Sequence, residues 1–132
     1  MTRRLALVTL VVDDYDRAID YYVRTLGFAL QEDTDLGAGN RWVVVSPGAQ
    51  GSALLLARAA NDRQTQAIGQ QTGGRVFLFL HTDDFKRDHA AYTQRGVTFV
   101  EGPRQEPYGT VAVFTDLYGN RWDLIEPAAS RG

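Results

Sequence analysis

Two histidines, sixteen carboxylates and no cysteine set the chemistry open to this chain. Without a thiol there is no disulfide, no thiolate metal ligand and no cysteine nucleophile. Ser46, Ser52 and Ser130 fall in expected turns or in the tail, with no histidine pattern beside them to activate a hydroxyl. His81 ends an apolar run just before Asp83-Asp84, where it reads either as a strand-edge histidine or as a general base. His89 falls in the middle of an expected helix, where its packing partner is Phe85. Gly37-Ala38-Gly39 precedes a strand rather than a helix, so it is a turn and not a phosphate loop. Arg104, Glu106 and Tyr108 gather ahead of an expected strand, either as a rim for a polar or anionic ligand or as a solvated loop. Trp42 and Tyr108 serve equally as aromatic walls of a site or as core and turn packing.

The elements that position these residues come as a repeat. Val8 to Asp14 reads V-T-L-V-V-D-D, and Leu78 to Asp84 reads L-F-L-H-T-D-D. A shift of 70 positions lays Asp13 on Asp83, Asp14 on Asp84, Tyr15 on Phe85, Arg17 on Arg87 and Tyr22 on Tyr92. Internal repeats fix architecture before any single element does. Asp14 and Asp84 are good helix N-caps, and Gly27 and Gly96 suit the left-handed residue that ends a helix. Ile19, Tyr22, Val23 and Leu26 form an apolar stripe of helical period in the first helix; Phe85, His89 and Tyr92 form a weaker one in the second.

Three strand-like runs follow each helix: 28–33, 41–46 and 52–57 in the first unit, then 97–101, 110–115 and 121–125 in the second. Pro47-Gly48 with Gly51, and Tyr118-Gly119-Asn120, supply turn chemistry between the later pairs. The spacing predicts an α+β chain of two tandem β-α-β-β-β modules, residues 5–58 and 75–127, within one domain spanning 1–132. Residues 59–74, polar and glutamine-rich, are either a solvated linker with one helical turn or a flap. From Pro127 onward the tail reads as disordered or weakly docked.

The pieces V-T-L-V-V-D-D-Y-D-R-A-I-D-Y-Y…L-G-F and F-T-D-L-Y-G-N-R-W-D-L-I-E-P resemble the vicinal oxygen chelate superfamily over nearly the whole chain. That group holds glyoxalase I, fosfomycin and bleomycin resistance proteins and extradiol dioxygenases. The resemblance implies two half-barrels facing a cleft, the glyoxalase/bleomycin resistance fold. Its metalloenzymes hold a divalent cation with His or Gln from the first strand of each module and Glu from the last. Carried over, the first-strand positions are Leu7 and Phe77, and the last-strand positions are Leu55 and Asp123. Three of the four are apolar, and one carboxylate does not hold a hard cation against water. No metal or other cofactor is expected, although a divalent cation held by Asp123 with His81 and Glu126 is the alternative. Glu126 has the opposite strand parity from Asp123, which counts against that set.

The parity of those implied ligand positions, carried along each strand by alternation, names the residues that share the cleft face. They are Leu7, Thr9 and Val11; Ala53, Leu55 and Ala57; Phe77, Phe79 and His81; and Arg121, Asp123 and Ile125. Arg121 and Asp123 either pair with each other or with neighbouring strands, or contact a ligand. Tyr108 joins them as a cleft-lining candidate. The mixture of apolar walls and few polar groups is that of a small-molecule pocket.

Three functions follow: a metal-independent binder of a small, partly apolar molecule; a metal-dependent lyase, isomerase or dioxygenase; or a catalytically silent sensor or interaction module. The chain has 132 residues, net charge −2 and pI near 5.6, which points away from nucleic acid. No run approaches the ~20 apolar residues needed to cross a membrane. The N-terminal Arg3-Arg4 and apolar run lack a cleavage site before Asp13-Asp14, so a cytoplasmic protein is expected. Exposed strand faces and the frequency of cyclic dimers lead to the expectation of a homodimer.

Overall fold

The computed structural model describes residues 2–129. Its contacts divide the chain into two units, the first ending at Ile68 and the second beginning at Gly69. In the first unit β1 (Leu7–Val12) leads to α1 (Tyr15–Asp20), a π-helical turn at Tyr21–Thr25, and then β2 (Ala29–Gly37), β3 (Asn40–Ser46), β4 (Ala53–Arg58) and α2 (Asp62–Ala67). The second runs β5 (Val76–His81), α3 (Phe85–Gln94), β6 (Thr98–Glu106), β7 (Gly109–Thr115) and β8 (Arg121–Pro127). Each unit holds one open four-stranded sheet, ordered β1-β4-β3-β2 and β5-β8-β7-β6. In both, the first strand pairs parallel with the last, and the other pairs are antiparallel. The repeat in the sequence is thus a repeat of topology.

The local causes repeat as well. Asp14 accepts the Arg17 amide at 2.8 Å and Asp84 the Arg87 amide at 3.1 Å, so each aspartate satisfies a free N–H of the first helical turn. Asp13–Arg17 and Asp83–Arg87 ion pairs flank those caps at 2.6 and 3.0 Å. Gly27 and Gly96 end the helical segments with φ of 74° and 89°. Each sheet buries one face against its helix. In the first unit Tyr15, Ala18, Tyr22 and Leu26 cover Leu10, Val43, Val45 and Leu56. In the second, Phe85 and Tyr92 pack with Phe114, Trp122 and Leu124, and Phe114 stacks on Trp122 at 5.7 Å. His89 lies between Phe85 and Phe99, with ring centroids at 5.4 and 4.2 Å, so its role is packing.

The structure departs from the expected pattern in three places. The stripe Ile19, Tyr22, Val23, Leu26 is only half buried, with Ile19 and Val23 intermediate. The Leu26 amide reaches back five residues to the Tyr21 carbonyl at 3.2 Å, and this wider turn rotates the following residues off the 3.6 period. β2 runs four residues past Asp33, and β6 five past Glu101. Every residue of β2, an edge strand, is exposed. The third departure is at the C-terminal end, where Pro127 still belongs to β8 and the Ala128 amide donates to the Tyr108 carbonyl at 2.9 Å. The remainder of the expected tail, with Ser130, lies outside the described residues.

The 59–74 stretch contains α2, capped by Asn61, which accepts the Gln64 amide at 2.9 Å. No helix among the described residues is long and apolar enough to cross a membrane.

Candidate functional site

A sheet covered by a helix on one side has its chemistry on the other. In the first unit the register sets Leu7 beside Ala53, and Thr9 beside Leu55, which faces Val44 on the next strand. Paired residues share a face, so these side chains lie opposite the helix-covered Leu10, Leu56 and Val43. The face is apolar at its centre: Ala53 and Val44 are buried, Leu7 and Leu55 half-buried, Thr9 exposed. Toward β2 it opens into a hollow of about 380 Å³, lined among others by Leu7, Trp42, Val44, Ala53, Arg4 and Glu32. The register of β2 slips between Leu30 and Glu32, and Gln31 in that bulge donates from Nε2 to Ser46 Oγ at 2.7 Å. Bulges re-aim side chains in this way, and alternation alone could not have named Gln31, Glu32 or Ser46 as lining residues. Trp42, more than one-third exposed, is on the hollow rather than in a core.

In the second unit the turn between β7 and β8 is what aims the site. Asp116 Oδ1 accepts the amides of Tyr118 and Asn120, both at 3.0 Å. Its Oδ2 accepts Asn120 Nδ2 at 3.1 Å and the Trp122 indole N–H at 3.0 Å. Asp116 and Asn120 are buried, so this knot locks the turn and fixes which residues of β8 face the helix. Trp122 and Leu124 go under α3, and Asp123 goes to the other face. Glu126 has Trp122's parity and accepts the Phe85 amide at 2.8 Å, capping α3 rather than joining Asp123.

Across the open face, Asp123 is flanked in register by Phe79 on β5 and Val113 on β7, with Glu101 beyond. The next row carries His81, Ile125, Val111 and Arg104. Phe79 and His81 are exposed, Val111, Val113 and Ile125 buried. The register slips between Val76 and Leu78, leaving Phe77, half-buried, without a partner in β8. Tyr108 stands exposed at the tip between β6 and β7. Arg121 does not pair with Asp123; its guanidinium lies 3.9 Å from Glu101. Arg104 reaches Glu101 at 3.1 Å and Glu106 at 3.5 Å, so the suggested rim is an ion-pair cluster.

Asp123 itself is buried, and its Oδ1 has no hydrogen-bond partner among the described residues. Burial pushes its carboxyl above the usual range; Arg104 pulls it the other way and Glu101 adds to the rise. A raised folded-state value means that the stabilising contribution is complete below the unfolded value, about 4, and is lost as pH rises through the folded value. Asp123→Asn, neutral throughout, should therefore gain stability over wild type between about pH 4 and neutrality, read as the difference in urea midpoints. Two midpoint curves running parallel over that range would refute the assignment.

A divalent cation does not fit these residues. Leu7, Leu55 and Phe77 offer no donor atom, and among the described residues no three of His, Asp and Glu are grouped to hold a metal ion.

Residues 4–124 match the Glyoxalase/Bleomycin resistance protein/Dioxygenase superfamily. The chain belongs to that superfamily. An uncharacterized protein of Shewanella frigidimarina is 55% identical to it over 96% of this chain and 95% of its own length. Among solved structures, UcmS2 is similar at TM-score 0.81 and 32% identity, covering 96% of this chain and 99% of that one. TnmS3, described as an antibiotic binding protein from Streptomyces sp. CB03234, is similar at TM-score 0.77 and 32% identity, covering 97% and 98%. Membership in the superfamily accounts for the two β-α-β-β-β modules and their open sheets.

Proposed function

We propose that this protein binds a small, partly apolar molecule on its open sheet faces without the help of a metal. The carrying observation is that apolar side chains stand at three of the four positions where metalloenzymes of the superfamily place donors. Leu7 and Leu55 share the open face of the first sheet, and Phe77 is on β5 beside the strand that carries Asp123. The hollow at Trp42 adds an aromatic wall with a few polar groups, the usual make-up of a small-molecule site. The antibiotic-binding description of TnmS3, a similar structure at 32% identity, supports the same reading. A metal-dependent lyase, isomerase or dioxygenase needs donors that these positions lack. In this reading the protein is cytoplasmic and acts as a homodimer; only monomer mass by light scattering at micromolar concentration would remove the dimer.

The test is a thermal-shift screen of aromatic and amphipathic small molecules, bleomycin-type antibiotics among them, with and without chelator. Binding to the folded state alone stabilises by about 2.7 kcal/mol at a hundredfold excess over Kd, so a true ligand raises Tm saturably. The chelator should change neither the ligand-free Tm nor the shift, and elemental analysis should find no stoichiometric zinc, nickel, iron or manganese. One metal per chain, or a shift abolished by chelator, would overturn the proposal.

A further inference from the structure

Asp123 is 7% exposed, yet nothing among the described residues donates to Oδ1. A buried acceptor left unpaired is destabilising, and more so when charged, so such a group asks for an explanation. The nearby cations are already engaged. Arg104 holds Glu101 and Glu106, and Arg121 leans to Glu101. The partners of Asp123 in register are apolar, and one of them, Phe79, is 62% exposed although it is a large aromatic side chain. An unanswered acceptor next to an uncovered ring is half of a recognition site.

We infer that Asp123 accepts a hydrogen bond from an O–H or N–H of the ligand, whose aromatic or apolar body lies against Phe79. This rests on the binding function proposed above and names the ligand class: aromatic alcohols and amines. A protonated amine also brings a cation to the Phe79 ring. Aromatic carboxylates are refused, because they bring no donor and set a second negative charge beside Asp123 and Glu101. A ligand offering only carbonyl oxygens leaves Asp123 as it was.

The probes are naphthylmethanol, naphthylmethylamine and naphthoate, which share one body and differ in the polar group. Calorimetric titration of the full chain at neutral pH should give the alcohol and the amine about tenfold tighter binding than naphthoate, a difference of about 1.4 kcal/mol. Asp123→Leu should erase that preference, and Phe79→Ala should weaken all three probes alike. Should Asp123→Leu fail to fold, Asp123→Asn serves: its amide oxygen still accepts from the alcohol, while the advantage of the amine falls. Equal affinity for naphthoate and the alcohol, or a preference that survives Asp123→Leu, overturns the inference. So does zinc alone binding one per chain and being lost in Asp123→Leu. If none of the three probes binds while the wider screen still yields ligands, this inference fails and the binding function stands. Silence in both removes both.

Discussion

Asp116→Ala should cost about 4 kcal/mol. The carboxylate accepts four hydrogen bonds within the β7–β8 turn, two from backbone amides and two from the side chains of Asn120 and Trp122. Alanine removes the acceptor that the indole N–H and the Asn120 amide use here, and each such loss runs to about 1–3 kcal/mol. Against a total stability of about 5–15 kcal/mol this is a large fraction. In a thermal scan the transition should fall by about 12 °C or more. Asp116→Asn keeps one acceptor oxygen and should fall roughly half as far. A drop of under about 3 °C for the alanine variant would mean that the knot is incidental to the fold.

Gly109→Ala should come next, at about 3 kcal/mol. Gly109 has φ +149°, and a Cβ there would sit 2.2 Å from the Glu126 carbonyl oxygen and 3.0 Å from Pro127 Cα. Both obstacles are backbone of the neighbouring strand, so nothing flexible can yield, and β7 must part from β8 at the end of the sheet. Gly51→Ala is the control. It also has a positive φ, +89°, but nothing lies within 4 Å of the added methyl. Only the conformational cost of about 1–2 kcal/mol applies there. Urea unfolding of the two variants should separate them clearly; equal losses would show that the contact with Glu126 does not matter.

The repeat of caps, glycines and strand runs was legible because each rests on local chemistry. Asp14 and Asp84 bond amides three residues away, and Gly27 and Gly96 need only their own φ. Alternation also placed Asp123 opposite Trp122 correctly, since the paired rows of β8 are regular from Arg121 to Pro127. It failed where a strand carries an extra residue. The slip at Phe77 and the bulge at Gln31 come from pairing with a neighbour, which no residue announces by itself. The ion pairs of Arg104 and Arg121 with Glu101 were hidden for a related reason. Past Glu101, β6 has one residue to spare in its pairing with β7, and that brings Arg104 back over the carboxylate. The π-helical turn is a third case, marked by the Leu26 amide bonding the Tyr21 carbonyl at 3.2 Å rather than by the apolar spacing.

The exposed edge of the first sheet bears on whether copies of this chain join strand to strand. β2 presents Glu32, Asp33 and Asp35 in four consecutive positions, with no lysine or arginine on the strand itself. A second copy adding its own β2 there would bring two acidic ribbons together, and like charges set opposite each other are destabilising. Arg41 answers Asp33 with two bonds, at 3.1 and 2.7 Å, and these hold its carboxyl below the usual range, so that its charge persists into acid. Strand-by-strand fibre growth from this rim is thus opposed at neutral pH.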